Sequence, residues 1–247
     1  MQPELKPVRT DDQGFGRGSS YERAPEVQDV AYSTPESQKV LRNTYLLLAL
    51  TMVPTVIGAY IGMATSSIIM ASPIISSLVM LAAVIGLQFA IAANRNSGLG
   101  VALLLLMTGL LGWWLGPILN VALSMKNGMA LVGYAAVGTG VIFFAMAALS
   151  QTIKRDLAFM GKFLFVGMIA LLIAMIANMF LQIPALALTI STLVIVVFSL
   201  FLLYDLQRIM NGGETNYIMA TTGVYMSLFN IFTSLLHILM ALTGERD

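Results

Sequence analysis

Apolar residues occur in long runs, separated by short polar breaks, from Thr44 to near the end of the chain. A run of about 20 apolar residues is long enough to cross roughly 30 Å of hydrocarbon as a helix. The pattern therefore predicts an all-helical bundle of seven transmembrane helices. The predicted spans are 44–62, 74–93, 99–123, 130–150, 163–182, 185–207 and 217–242. We interpret the break at Gln182-Ile183-Pro184 as a turn, because residues 162–207 are too many for one crossing.

Residues 1–43 differ from the rest of the chain. They are rich in Gly, Ser, Pro and charges of both signs, and they show neither helical nor strand periodicity. Such a composition predicts a disordered tail in front of a membrane domain at 44–247. The tail contains no apolar stretch typical of a cleavable signal peptide. At about 5 to 6 Å times the square root of its length, the tail has an average reach of some 30 to 40 Å.

The distribution of Lys and Arg between the loops predicts the orientation of the bundle. The tail and alternate loops carry Lys39, Arg42, Arg95, Lys154, Arg155, Lys162 and Arg208, whereas the opposite side has Lys126 and Arg246. This bias places the N-terminus in the cytoplasm and the C-terminus on the opposite side of the membrane. The chain is thus expected to be a multi-pass membrane protein.

The composition narrows the classes of function. Hydrophobic residues make up 58% of the 247 residues and charged residues 10%, with a formal net charge of +1 and no cysteine. A near-neutral chain of this kind is not expected to bind nucleic acid, and the absence of cysteine excludes thiol chemistry. No cofactor or metal ion is expected.

Small residues recur at helical spacing in several spans, as expected where helices approach closely in lipid. The four predicted contact faces are Thr51, Thr55, Gly58 and Gly62 in the first span, Gly109, Gly112, Gly116 and Asn120 in the third, Gly133, Ala136, Gly140 and Ala147 in the fourth, and Gly167, Ala170, Ala174 and Asn178 in the fifth. We expect these faces to hold the bundle together.

Two polar features stand out near the C-terminus. Ser227, Asn230, Ser234 and His237 fall on one face of the last predicted helix, which indicates either interhelical hydrogen bonds or a water-filled path. Asp205 lies close to the end of the sixth span, where an acidic residue is a functional-site candidate. Arg208, three residues later, is placed either to pair with Asp205 or to extend to the membrane surface.

The inventory of residues argues against an enzyme. No second span carries an aspartate to face Asp205, as an intramembrane aspartyl protease requires. The sequence also contains no Gly-x-Ser-x-Gly motif, no His-Glu-x-x-His motif and no lysine in the last span. His237 is the only histidine, so a metal site is not expected.

Four motifs in order along residues 39–247 resemble the Bax inhibitor-1 family. They are Lys39-Val40-Leu41-Arg42-Asn43-Thr44-Tyr45, Gly116-Pro117-Ile118-Leu119-Asn120, residues 178–186 beginning with Asn178, and Gly212-Gly213-Glu214-Thr215-Asn216-Tyr217-Ile218. The resemblance implies a seven-helix bundle in the bacterial cytoplasmic (inner) membrane, so that the C-terminus is expected in the periplasm. It also implies two activities found in the family: a pH-sensitive calcium leak in some bacterial members, and association with the FtsH membrane protease in an inner-membrane member.

The resemblance implies a site as well. The family's leak is attributed to two aspartates on the last two helices; Asp205 matches the first, whereas Ser227 stands at the position of the second. A carboxylate pair is therefore not expected here, although Asp205 with Ser227, Asn230 and Arg208 remains a candidate ion or pH site.

The expected function is that of a slowly degraded substrate and competitive inhibitor of FtsH, in protein quality control at the inner membrane. The alternative is a leak for calcium, other cations or protons centred on Asp205. The expected partners are accordingly the FtsH complex, the lipid bilayer and possible calcium ions or protons.

Overall fold

The computed structural model describes residues 34–153 and 157–244. Within these residues the chain is all-helical and forms nine α-helices. They are α1 (Pro35–Ala64), α2 (Ser66–Met70), α3 (Pro73–Ala93), α4 (Gly98–Trp114), α5 (Gly116–Ser124), α6 (Gly128–Thr152), α7 (Ala158–Leu181), α8 (Pro184–Met210) and α9 (Tyr217–Gly244).

Seven segments of the described chain are long and apolar enough to cross a membrane. Six of them are single helices, and the third consists of α4 and α5 together. The prediction of an all-helical fold with seven spans is thus confirmed. The turn expected around Gln182 is also present, because α7 ends at Leu181 and α8 begins at Pro184.

The first helix begins earlier than expected. Pro35 is its first residue, and the Oγ1 atom of Thr34 caps it by accepting a hydrogen bond from the Ser37 N–H at 3.2 Å. The assignment of residues 34–43 to a disordered tail was therefore wrong. At 30 residues, α1 is about 45 Å long, so that its polar first turns extend beyond the apolar part of the span. The remainder of the predicted tail, residues 1–33, lies outside the described residues.

The third span is interrupted rather than continuous. α4 ends at Trp114 and α5 begins at Gly116, with Pro117 in its first turn, where a missing N–H is tolerated. The side-chain nitrogen of Asn120 donates to the Met63 carbonyl oxygen at 2.8 Å and to Ser66 Oγ at 2.9 Å. These bonds tie α5 to the end of α1 and the beginning of α2.

Helices α1 and α4 meet with their backbones in contact. A Cβ atom at Gly58 would lie 2.9 Å from the Trp113 nitrogen, and one at Gly112 would lie 2.8 Å from the Thr55 carbonyl carbon. Carbon atoms in ordinary contact are about 3.5 to 4.0 Å apart, so only glycine fits at these positions. The small-residue faces predicted for the first and third spans are therefore a real helix contact.

The small-residue face predicted for the fourth span was wrong at three of its four positions, while the fourth, Ala147, packs against the main apolar cluster. Nothing lies within 4 Å of a Cβ atom placed on Gly133 or Gly140, and Ala136 is exposed. α6 instead buries Ala135 and Thr139, and its Gly138 approaches the Leu235 side chain of α9. Helical spacing gives the residues that share a face, but the positions of the neighbouring helices decide which face is buried.

The core of the bundle surrounds α9, which contacts α1, α3, α4, α6 and α8. Its Val224, Tyr225 and Ile231 are almost completely buried in the main apolar cluster. Tyr225 also joins three helices, because its hydroxyl lies 2.8 Å from Thr55 Oγ1 of α1 and 3.4 Å from the Thr108 carbonyl oxygen of α4.

Candidate functional site

Asp205 lies five residues before the end of α8, where its half-buried side chain faces α9. A Cβ atom at Gly223 of α9 would be 2.7 Å from Oδ2 of Asp205, so the carboxylate rests against a helix backbone that carries no side chain at that point. Within the described residues, Asp205 makes no salt bridge and no hydrogen bond. The acidic group therefore lies inside a spanning segment without a directly bonded partner among the described residues.

Of the two interactions open to Arg208, the structure shows the one directed to the surface. Its Nη2 atom is 3.3 Å from Oε2 of Glu214, and its Nε–H donates to the Gly213 carbonyl oxygen at 3.2 Å. The alternative, a salt bridge with Asp205, is absent, and Arg208 holds the loop between α8 and α9. This pair is largely exposed on the Arg208 side, so it contributes at most about 1 kcal/mol to stability.

The turn of α8 that carries Asp205 also holds α7. Tyr204 packs against Gly161, where a Cβ atom would lie 2.8 Å from the phenol oxygen. The buried Gln207 donates to the Ile153 carbonyl oxygen at 2.9 Å and accepts from the Leu157 N–H at 3.2 Å. Sequence reasoning did not single out Gln207, although a glutamine within a spanning helix is the kind of signal that points to a buried hydrogen bond.

The motif with Gly212, Gly213 and Glu214 forms the connection between α8 and α9. Gly212 has a φ of +72°, which favours glycine, and the N–H groups of Gly213 and Glu214 both donate to the Arg208 carbonyl oxygen. Oε1 of Glu214 accepts from the Asn216 N–H at 3.0 Å. Glu214 thus acts as a structural group of this loop.

Asn216 connects the same loop to a second loop. Its side-chain oxygen caps the start of α9 by accepting from the N–H groups of Ile218 and Met219. Its Nδ2 atom donates to the Arg95 carbonyl oxygen at 2.8 Å and to Asn96 Oδ1 at 2.9 Å. These two hydrogen bonds join the loops that follow α3 and α8.

The motif with Asn178 forms the turn between α7 and α8. Oδ1 of Asn178 accepts from the Ile183 N–H at 3.1 Å, and its carbonyl oxygen accepts from the Gln182 N–H at 2.8 Å. Gln182 occupies the left-handed region with a φ of 51°. Together with Gly116, Pro117 and Asn120 at the α4–α5 break, these motif residues shape connections between helices.

The polar stripe of α9 faces α8. Gly223 meets Asp205 at one end, and at the other end Nδ1 of His237 lies 3.3 Å from Ser191 Oγ of α8. Ser227 lies one helical turn, about 6 Å, beyond Gly223. The two ends of the stripe thus meet Asp205 and Ser191 of α8, and Ser227, Asn230 and Ser234 lie between these ends on the same face of α9. The described residues hold no group of three or more His, Cys, Asp or Glu side chains able to bind a metal ion.

Comparisons with known proteins identify the family of this chain. Residues 37–244 match the family described as "Inhibitor of apoptosis-promoting Bax1". The chain is 41% identical to a protein of Vibrio cholerae named "Uncharacterized membrane protein", over 91% of this chain and 95% of that protein. It is 42% identical to the Escherichia coli protein named "Modulator of FtsH protease YccA", over 82% of this chain and 90% of that protein.

A protein of Neisseria meningitidis is 38% identical over 89% of this chain and 98% of its own length. The family match covers every described span, and the relatives are aligned over nearly their whole length. The chain is therefore a membrane protein with seven transmembrane helices that belongs to the Bax inhibitor-1 family.

Proposed function

We propose that this protein is a substrate of the FtsH protease that is degraded slowly and so restrains the enzyme at the bacterial inner membrane. The observation that carries the proposal is the 42% identity, over 90% of its length, to a protein named as a modulator of FtsH. Another Escherichia coli protein, also 42% identical over 90% of its length, is named "Inner membrane protein YccA". The proposed action is binding rather than chemistry.

The packing of the bundle supports slow degradation. A protease that pulls from the N-terminal side must first separate α1 from its neighbours. α1 contacts α4 backbone to backbone at Gly58, Gly62 and Gly112, and its Thr55 is hydrogen-bonded to the buried Tyr225. In a close helix contact of this kind, the dispersion energy is the sum over many atom pairs. These pairs must separate together before α1 leaves α4, so the contact resists extraction.

The segment before α1 is the proposed handle. Its composition predicts an unstructured tail, and a protease that threads its substrate requires a loose segment to grip. Helix α1 begins at Pro35 behind the Thr34 cap, so the handle comprises residues before Thr34. While the bundle resists extraction, the occupied protease is closed to other substrates, which is competitive inhibition.

The test is the decay of the protein after synthesis is stopped, in cells with active FtsH and in cells with catalytically inactive FtsH. We expect decay only with active FtsH, and we expect overproduction to extend the half-life of a second FtsH substrate. A variant that lacks residues 2–31 keeps the Thr34 cap and should decay more slowly. Equal half-lives in the two strains would refute the proposal.

A control separates the handle from a specific recognition sequence. Residues 2–31 are replaced by a scrambled sequence of the same composition. If the tail acts as a handle, this variant decays at the native rate. An unchanged half-life after deletion of residues 2–31 would remove the tail from the mechanism and leave the substrate proposal to stand on the comparison between strains.

The second candidate function is a leak for cations or protons through the bundle. It is favoured by the Asp205 carboxylate, which lies within a spanning segment and, among the described residues, has neither a salt bridge nor a hydrogen bond. Asp205→Asn separates the two candidates. The leak requires altered flux in liposomes, whereas protease restraint should survive the substitution.

A further inference from the structure

Five positions of α9 share one face whose two ends meet α8, and we term this face the α8–α9 seam. They are Gly223, Ser227, Asn230, Ser234 and His237, at steps of four, three, four and three residues. These steps keep all five positions within about 80° around the helix axis. Because Asp205 fixes one end of this face against α8 and Ser191 fixes the other, the whole face lies along α8.

Two hydroxyl groups of the seam differ from the other buried polar groups. Among the described residues, ten of twelve buried polar side chains make hydrogen bonds, as Thr139 does with the Ala135 carbonyl oxygen at 2.7 Å. Ser227 and Ser234, at 2% and 7% exposure, are the two that make none there. Buried hydroxyl groups normally find partners, so these two require an explanation.

Neither serine oxygen is completely enclosed. The described residues contain no fully enclosed side-chain oxygen or nitrogen that lacks a hydrogen bond, so each of these oxygens still presents surface to a water-sized sphere. Successive seam positions are separated by about 4.5 or 6 Å along the axis. Two hydrogen bonds of about 2.8 Å joined by one water molecule span the same distance.

We propose that the α8–α9 seam is a proton-transfer path between the carboxylate of Asp205 and the imidazole of His237. It extends about 21 Å along α9, most of the thickness of a bilayer core. Each serine hydroxyl accepts a proton on one side and releases its own on the other, and the O–H group then rotates back before the next transfer. Asn230 relays no proton, because its nitrogen donates to the Met226 carbonyl oxygen and its amide oxygen only accepts, so the proton passes it through water between Ser227 and Ser234.

The ends of the seam have the groups that proton exchange requires. His237 has an exposed side chain with Nδ1 held near Ser191, and α8 presents no charged group to it among the described residues. At the other end, the charges that act on Asp205 are Arg208 of its own helix and Glu214 of the adjoining loop. From α9, Gly223 faces the carboxylate and presents no side chain to it.

The same chemistry favours protons over calcium ions. Calcium takes six to eight oxygen ligands, usually including several carboxylates. The seam offers one carboxylate, and the described residues hold no cluster of three or more acidic or histidine side chains. The inference rests on the second candidate function above and specifies its ion and its route.

The test uses the full-length protein in liposomes that contain a pH indicator, with a potassium gradient and valinomycin to drive proton entry. A parallel set of liposomes contains a calcium indicator. We expect the native protein to carry protons above the rate of protein-free liposomes. Asp205→Asn and the double variant Ser227→Ala/Ser234→Ala should each lower proton flux at least tenfold, and His237→Phe should lower it as well.

The matched control is Thr139→Ala, which removes a buried hydroxyl group that is bonded within its own helix and lies outside the seam. It should keep the native flux. Loss of the serine hydroxyl groups breaks no hydrogen bond among the described residues. The double variant should therefore fold as the native protein does and elute at the same volume in size-exclusion chromatography.

Native flux in the double serine variant would overturn the path. Calcium flux without proton flux would also overturn it, while leaving the leak candidate in place. If neither ion moves, both the path and the leak candidate fall, and the FtsH proposal is unaffected.

Discussion

The glycine contact between α1 and α4 makes a quantitative prediction for Gly112→Ala. Gly112 is buried against Thr55, and the new methyl group would overlap the Thr55 carbonyl oxygen. It would lie 2.8 Å from both the Thr55 carbonyl carbon and its Cα atom, where about 3.5 to 4.0 Å is required. The two backbones must therefore separate by roughly 0.7 to 1.2 Å.

Such a separation has a large cost because the atoms in the way belong to a backbone and cannot rotate aside. Overpacking usually costs about 1 to 3 kcal/mol, and we expect the upper part of this range. A loss of about 3 kcal/mol lowers the folding equilibrium constant roughly a hundredfold. Gly140→Ala is the matched control, because nothing lies within 4 Å of its new methyl group. It should be neutral or stabilise α6 by up to about 1 kcal/mol.

The assay is unfolding of the purified protein in mild detergent by increasing fractions of sodium dodecyl sulfate. The chain has two tryptophans, Trp113 and Trp114, both at the end of α4, and Nε1 of Trp113 donates to Thr65 Oγ1 at 2.8 Å. Tryptophan fluorescence therefore reports directly on this contact. If Gly112→Ala unfolds at the same detergent fraction as Gly140→Ala, the helices are farther apart than the structure shows and the reasoning fails. The same variant should also shorten the half-life in cells with active FtsH.

Two further predictions concern hydrogen bonds that join helices. Tyr225→Phe removes the hydrogen bond to Thr55 and should lower the free energy of unfolding by about 0.6 to 1.5 kcal/mol in the same assay. If the loss in the double variant Tyr225→Phe/Thr55→Val equals the sum of the two single losses, the two side chains do not interact. Gln207→Leu removes the acceptor of the Leu157 N–H, so hydrogen exchange at that amide should become about fivefold faster, and an unchanged rate would mean that Gln207 does not hold α7.

Part of the candidate site was accessible from the pattern of residues. A carboxylate within a span and a polar stripe at helical spacing are both visible in the sequence, and they led to Asp205, Ser227 and His237. The partners of these residues were not visible. The sequence left two alternatives open for Arg208, and the structure has the one in which Arg208 reaches the adjoining loop, where Glu214 and a carbonyl oxygen bind it.

The sequence by itself determined the number of spans, because about 20 apolar residues have no other stable arrangement in lipid than a helix. It also determined several turns, through the fixed φ of proline and the freedom of glycine, as at Pro184 and Gly212. These properties depend on neighbours along the chain, so local chemistry is sufficient to predict them.

Only the tertiary structure decided which helix face is buried and which polar groups meet. The glycine faces of α1 and α4 are in contact, whereas Gly133 and Gly140 of α6, at similar spacing, touch nothing. Gly223 became part of the candidate site because Asp205, 18 positions earlier, lies against it. The physical reason is that helical periodicity fixes the angle between residues on one helix, while the angle between one helix and the next is set by packing across the whole bundle.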